Sequence, residues 1–155
     1  MNIDPKVIAL LGFGEAGSAI ARGLAAEGGW RGPSKPGDNA PRRVIAIDPA
    51  LDKDARGTAL GKEARRLDVA IADRYTDALS DADLVICAVQ GEHALDAATS
   101  AAPLLKKGAY FLDLCTVTGK MADEDRAAIE KAAGQYIDIA VMSVPAPTRH
   151  PAGSP

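Results

Sequence analysis

Five apolar residues, Val7-Ile8-Ala9-Leu10-Leu11, pass directly into Gly12-Phe13-Gly14-Glu15-Ala16-Gly17 and then into an alanine-rich stretch. A buried strand, then G-x-G-x-x-G, then a helix constrains this chain more than any other feature. Each glycine answers a separate mechanical need. Gly12 permits a tight turn out of the strand, and Gly14 removes the side chain where a pyrophosphate must approach the backbone. Gly17 lets the helix sit close on the sheet. The start of that helix offers amides without partners and the positive end of its dipole. A strand-to-helix turn with chance glycines would look the same locally. The strand before it, the helix after it and an acid, Asp48, at the next strand end together single out a phosphate-binding turn. Residues Gly12, Phe13, Gly14, Glu15, Ala16 and Gly17 are therefore candidate cofactor contacts.

The rest of the chain repeats the alternation of short apolar runs with helical stretches, which is the pattern of a parallel α/β sheet. Strands are expected near 7–11, 43–47, 68–71, 83–89, 109–115 and 136–142. Helices are expected near 15–27, 52–66, 92–105 and 120–134, with a short helical turn near 75–80. This order predicts a doubly wound α/β domain of the Rossmann type, strand order 3-2-1-4-5-6, with helices on both faces and a ligand crevice above strands 1 and 4. In the first helix Ala16, Ile20 and Leu24 form a stripe toward the sheet. The helix over 120–134 opens with Asp123-Glu124-Asp125 and closes near Lys131, both suited to its dipole. Residues 28–42 read as a Gly/Pro surface loop at the sheet edge away from the ligand. The domain is expected over 1–143, with 144–155 as a Pro-rich tail.

Charge and composition narrow the function. A net charge of −3 with no basic run argues against a nucleic-acid surface. The apolar run at the N-terminus is too short for a signal segment or a membrane span, so a cytoplasmic protein without a membrane partner is expected. Cys87 and Cys115 both fall in apolar runs, which predicts buried, reduced thiols. Two cysteines and two distant histidines are too few for a zinc site, so no metal is expected.

Asp48 closes the second strand, where an acid receives the adenosine ribose hydroxyls and repels a 2′-phosphate. It therefore favours NAD over NADP, although an Asp before Pro49 is also a common turn former. Its distance from the glycines exceeds the usual ~20 residues, and the 28–42 loop accounts for the excess. Lys53 and Arg56 follow and could soften the preference. Ala88, Val89 and Gln90 leave the fourth strand and should line the same crevice. Cys87 reads as core, and His93 as a solvated residue at a helix end. After the fifth strand, Thr116 and Thr118 bring hydroxyls to the nicotinamide end. Thr118 serves equally well as a helix cap. Lys120 reads as solvent-exposed.

The glycine turn, Asp48, the segment Asp113–Thr118 and Tyr136-Ile137-Asp138-Ile139-Ala140-Val141 occur in an order that resembles the cofactor domain of the β-hydroxyacid dehydrogenases. That group includes 3-hydroxyisobutyrate and 6-phosphogluconate dehydrogenases. The opening resembles most a branch described as 6-phosphogluconate-dehydrogenase-like NAD-binding proteins. The resemblance implies NAD(P)-linked oxidation of a hydroxyl on a small hydroxy acid, with Thr116 as the matching substrate-binding hydroxyl. The family's Asp-Ala-Pro-Val-Ser-Gly-Gly reads here Asp138-Ile139-Ala140-Val141-Met142-Ser143-Val144. Ser143 is thus displaced by one position and both glycines are gone. The family takes its general acid–base lysine from a second, helical domain that also builds the dimer. No residue here matches it, so no catalytic residue is assigned. The expectation is the cofactor-binding half of a dehydrogenase, its tail leading toward such a domain and its bare face prone to self-association. Two alternatives stand beside it. One is a non-catalytic NAD(H)-binding module. The other is an S-adenosylmethionine methyltransferase, which usually carries an acid inside its first strand where this chain has none. A flavin-binding variant would need a longer chain.

Overall fold

The computed structural model describes residues 3–27, 30, 42–51 and 55–141, with backbone alone at 55–58. Six strands form one all-parallel sheet: β1 (Val7–Leu11), β2 (Arg43–Ile47), β3 (Ala70–Ile71), β4 (Leu84–Cys87), β5 (Tyr110–Asp113) and β6 (Gln135–Asp138), in the order β3-β2-β1-β4-β5-β6. The helices are α1 (Glu15–Glu27), α2 (Ala55–Arg66), α3 (Tyr75–Leu79), α4 (Ala94–Ala101) and α5 (Gly119–Lys131). This is the doubly wound Rossmann sheet that the alternating pattern predicts.

A strand covered on both faces must be apolar throughout, and β1 is. Its residues alternate between two cores. Val7, Ala9 and Leu11 pack on the face that carries α3, α4 and α5, while Ile8 and Leu10 pack on the face that carries α1 and α2. Five alanines on or just after α4 (Ala94, Ala97, Ala98, Ala101 and Ala102) bring its backbone close to the sheet. On α1 the fully buried line is Gly17, Ser18 and Ala21, with Ile20 and Leu24 partly buried beside it. Trp30 and Arg42 are the described residues of the 28–42 segment, the rest of which lies outside the described residues. Trp30 is buried in the α1/α2 core, with the Arg42 guanidinium 5.1 Å from its ring centroid.

Element ends differ from the pattern for local reasons. The fourth strand ends at Cys87, where the Ala88 N–H makes the last ladder bond to the Leu11 carbonyl, at 2.8 Å. The third strand is short because Asp68 is left-handed (φ 58°) and the Val69 N–H bonds the Ala64 carbonyl, closing α2. The helix expected over 92–105 is α4 flanked by two 3₁₀ turns, Gly91–His93 and Ala102–Leu104; Pro103, which lacks a donor, sits in the second.

The acids of α5 correct the dipole argument. The helix begins at Gly119, so its first turn contains no acid, although Lys131 does occupy the last turn. Asp125 faces inward instead and is fully buried beside Asp113 and Tyr136. The Tyr136 hydroxyl donates to Asp113 Oδ2 (2.8 Å) and the Cys115 N–H to Asp113 Oδ1 (2.9 Å). Neither Asp125 oxygen has a hydrogen-bond partner among the described residues. Burial, and then the Asp113 carboxylate, push the Asp125 carboxyl up to about 6. A proton on Asp125 supplies the donor that two facing carboxylates lack.

This sets a pH dependence. The folded-state value of Asp125 lies above its ordinary 3.8, so the stabilisation is complete below about pH 4 and is lost as pH rises to about 6. Glu63, held down at about 2 chiefly by Arg66, titrates below that window. We expect Asp125→Asn to match the parent near pH 4 and to be more stable at pH 8 by roughly 3 kcal/mol. Urea denaturation at the two pH values checks this. A variant less stable than the parent at pH 8 would show that the ionised acid is accommodated.

Candidate functional site

The order of the sheet reverses at β1, which pairs with β2 on one side and β4 on the other. Connections leave in opposite directions there, and a crevice opens beyond the strand ends. A cleft of about 600 Å³ occupies it, within the size range of small-molecule sites. Gly12, Gly14, Asp48, Ala88, Val89 and Gln90 all line it.

The glycine turn is held by three hydrogen bonds from its neighbours. The Gly12 N–H donates to the Ile47 carbonyl (2.9 Å), and the Ala88 N–H to the Leu11 carbonyl (2.8 Å). The Phe13 N–H donates to Asp48 Oδ2 (2.8 Å). Phe13 itself is fully buried, so its side chain is core and only its amide reaches the acid. Gly12 has φ +93°, and a Cβ there would lie 2.6 Å from the Ala88 carbonyl oxygen. A Cβ on Gly17 would collide with the Gly12 carbonyl, so α1 rests directly on the turn. The Ser18 hydroxyl donates to the Gly14 carbonyl (2.7 Å) and completes the first helical turn. Glu15 and Ala16 belong to α1 and do not line the cleft. The arrangement is a bare backbone cradle at a helix start, which suits a pyrophosphate.

Asp48 fills the turn-forming role weighed for it. Its Oδ1 accepts the Ala50 N–H (2.8 Å), an Asx turn around Pro49, while Oδ2 holds the glycine turn. It lines the cleft at the same time. The segment after β3 adds Asp73 and Tyr75, and the α4 side adds His93, Asp96 and Ser100; of these the sequence singles out only His93. Strand topology could have found the first two, since residues following β3 open on the same sheet edge. Burial first, then the nearby Cys87, Asp48 and Asp96 side chains, raise the Tyr75 hydroxyl above its ordinary value. Among the described residues the cleft has three carboxylates and no lysine or arginine. Arg74, next to Asp73, is turned to Asp77 by two 3.0 Å bonds.

Thr116 and Thr118 line a second, open hollow with Gly91, Glu92 and Met121, and Gln90 borders both hollows. Thr116 is exposed, and its backbone carbonyl packs against Gly91 so closely that a Cβ there would overlap it. Thr118 occupies the cap position of α5 without a side-chain capping bond, which leaves its hydroxyl free. Lys120 points to solvent and lies 3.9 Å from Glu124. Ser143, Lys53 and the Arg56 side chain lie outside the described residues. Cys87 and Cys115 are buried free thiols with sulfurs 3.6 Å apart. With Asp113 they gather ligand-type atoms within 4.8 Å of one another. A count of Cys and His alone leaves out that acid, whose two oxygens accept the bonds from Cys115 and Tyr136. No helix among the described residues is long and apolar enough to cross a membrane.

Residues 7–115 match the sequence model of a family described as NADP oxidoreductase, coenzyme F420-dependent. No curated protein matches the chain. Among solved structures, it is similar to a conserved hypothetical protein from Sinorhizobium meliloti. The identity is 31% and the TM-score 0.74, over 89% of this chain and 42% of that one. It is also similar to the 3-hydroxyisobutyrate dehydrogenase of Mycobacterium tuberculosis determined with L-serine (23% identity, TM-score 0.71, 90% of this chain and 41% of that one). The imine reductase of Myxococcus stipitatus in complex with NADP+ shares the fold as well (18%, TM-score 0.68, 90% and 42%). A variant of that reductase was determined with NAD+. The chain thus spans about two fifths of the length of these relatives.

Substituting the cradle glycine separates strain from collision. Gly12→Ala suffers both a positive φ and the Ala88 carbonyl, whereas Gly108→Ala has φ +79° with nothing within 4 Å. We expect a loss of about 1 kcal/mol for Gly108→Ala and at least twice that for Gly12→Ala. Chemical denaturation of both variants measures the difference, and equal losses would mean that the two loops separate freely.

Proposed function

Because this chain belongs to the family described as NADP oxidoreductase, coenzyme F420-dependent, we propose that it is the cofactor-binding part of a hydroxy-acid-type dehydrogenase that prefers NAD. The observation that carries this is the side-chain-free cradle between Gly12, Gly14 and Ala88, with Asp48 hydrogen-bonded to the turn beside it. When bound, the nicotinamide supplies the hydride acceptor or donor. The chain's own residues bind and orient. The start of α1 receives the pyrophosphate, Asp48 the ribose hydroxyls, and Ala88, Val89 and Gln90 guide the dinucleotide toward the second hollow.

The family's description names NADP, so the preference rests on this chain's own charges. A 2′-phosphate beside Asp48 would meet Asp73 and Asp96 in the same cleft without a lysine or arginine among the described lining residues. Two like unit charges ~4 Å apart repel by roughly 4 kcal/mol at an effective dielectric constant near 20. The Thr116 and Thr118 hydroxyls and the Gln90 amide offer donors to a small hydroxy acid. No described residue lining either hollow is a lysine, so the general acid–base is assigned to none of them. That observation also favours a second reading, an NAD(H)-binding module without turnover of its own. Residues 144–155 are proposed as the connection to a helical unit that supplies the lysine.

Fluorescence titration with NADH and NADPH, with S-adenosylmethionine as competitor, tests the proposal. NADH should bind at least tenfold more tightly than NADPH, and Asp48→Asn should narrow the gap while weakening NADH. Tighter NADPH binding would overturn the preference. Binding of S-adenosylmethionine alone would remove the dehydrogenase reading.

A further inference from the structure

The chain has two cysteines, and the fold brings them together. Cys87 closes β4 and is the ladder partner of Asp113 on β5. Beyond Asp113 the backbone turns over the end of β4. The Leu114 N–H donates to the Cys87 carbonyl (2.9 Å), and the Cys115 N–H to Asp113 Oδ1 (2.9 Å). These bonds hold Cys115 Sγ 3.6 Å from Cys87 Sγ and 3.7 Å from the Cys87 carbonyl oxygen. Neither thiol lines the cleft or the second hollow, yet each is one residue from a wall. Ala88, which follows Cys87, lies against Gly12 and lines the cleft. Thr116, which follows Cys115, lies against Gly91 and lines the second hollow. Both contacts are too close to admit a Cβ, so neither wall has slack.

From this we infer that Cys87 and Cys115 are a reversible dithiol–disulfide pair, and that closing the disulfide weakens dinucleotide binding. The second part rests on the dinucleotide reading above; the first does not. A disulfide holds its sulfurs about 2.05 Å apart, so the two must approach by roughly 1.5 Å from where they stand. Both side chains are buried in a close-packed core, so rotation supplies part of that approach and the strand ends supply the rest. Ala88 and Thr116 move with them. The oxidant is a small-molecule disulfide. A thiolate at Cys115, the less buried of the two, attacks it, giving a mixed disulfide and one released thiolate. The Cys87 sulfur then attacks the Cys115 sulfur, the intramolecular bond forms and the second thiolate leaves. Each released thiolate takes up one of the two cysteine protons, so two electrons and two protons pass to the small disulfide. The hydrogen bond to Cys87, and then burial, push the Cys115 thiol above its ordinary range, which makes the exchange slow. The equilibrium, rather than the rate, is therefore the quantity to measure.

Equilibrating the full chain in glutathione buffers of graded ratio, then trapping free thiols by alkylation before mass spectrometry, reads the pair without any ligand. The parent should lose the mass of two hydrogen atoms, carry no glutathione, run as a single chain on a non-reducing gel and regain both thiols with dithiothreitol. Fluorescence titration should then show NADH binding roughly fivefold or more weaker to the oxidised chain than to the reduced one, the low end of ordinary coupling between sites. By linkage, saturating NADH should shift the pair toward the dithiol by the same factor, which reads the coupling from the sulfur side. Cys115→Ser, with Cys87→Ala as a second variant, should bind NADH like the reduced parent in every buffer. Thiols that stay free in the most oxidising buffer, a stable glutathione adduct or a disulfide between chains would overturn the pairing. An affinity that still falls in oxidising buffer when one cysteine is missing would overturn the assignment to this pair. A closed disulfide with unchanged NADH affinity would overturn the coupling and leave the dinucleotide reading intact. A reduced chain that binds no NADH would overturn that reading and the coupling together, while the thiol measurement still decides the pairing.

Discussion

The contact on which the rest of the molecule depends is the approach of the β1–α1 turn to the backbone leaving β4. Gly12 lies against the Ala88 carbonyl with no room for a side chain. Around that point the Gly12 N–H is bonded to β2 and the Ala88 N–H to β1. Three adjacent strands are thereby tied at their C-terminal ends, and the connections leave on opposite faces of the sheet. The crevice follows directly from this reversal and requires no further device. A side chain at Gly12 would separate β1 from β4 where both the sheet and the site need them together. For that reason stability and the shape of the cleft are inseparable at this residue, while at Gly108 only backbone strain is at stake.

Asp48 extends the same economy. One carboxylate shapes the turn that follows β2 and also holds the amide of Phe13, whose ring is buried in the α1/α2 core. The acid is thus positioned by the core rather than by solvent, and its charge stays at the cleft wall whether or not a ligand is present. A role in folding and a role toward ribose hydroxyls are therefore not competing explanations. Preorganised acceptors lose little freedom on binding, which favours affinity.

Much of this was legible in the chain. The run Val7–Leu11 before three spaced glycines, and the alternation of apolar runs with helices, determined the sheet order and the place of the crevice. Periodicity says less about residues that do not repeat. Asp73 and Tyr75 follow a two-residue strand that pattern alone blurs into the end of α2. Asp125 misled for a different reason. An acid near a helix start usually faces water and the dipole, and only the contact of α5 with β5 and β6 shows that this one turns inward. A buried acid is set by a tertiary partner, Asp113, twelve residues earlier in the chain, and no local signal reveals such a pairing. Thr116 was legible as a loop hydroxyl. That it borders a second hollow depends on the packing of Gly91 against its carbonyl.

Charge distribution gives the cleft a direction. Among the described residues, the positive potential built into its wall is the start of α1, which belongs to the backbone and sits beside Gly14. The carboxylates stand to one side of it, and the neutral donors Gln90, Thr116 and Thr118 to the other. An extended ligand with phosphates at its centre and hydrogen-bond donors at one end therefore has one favourable orientation. Its donor-rich end lies toward Asp48, Asp73 and Asp96, and its other end is carried to Gln90, where the two hollows meet. Reversal would carry the donor-rich end away from the three carboxylates that line the main cleft. The orientation of such a ligand thus follows from where the chain places its acids.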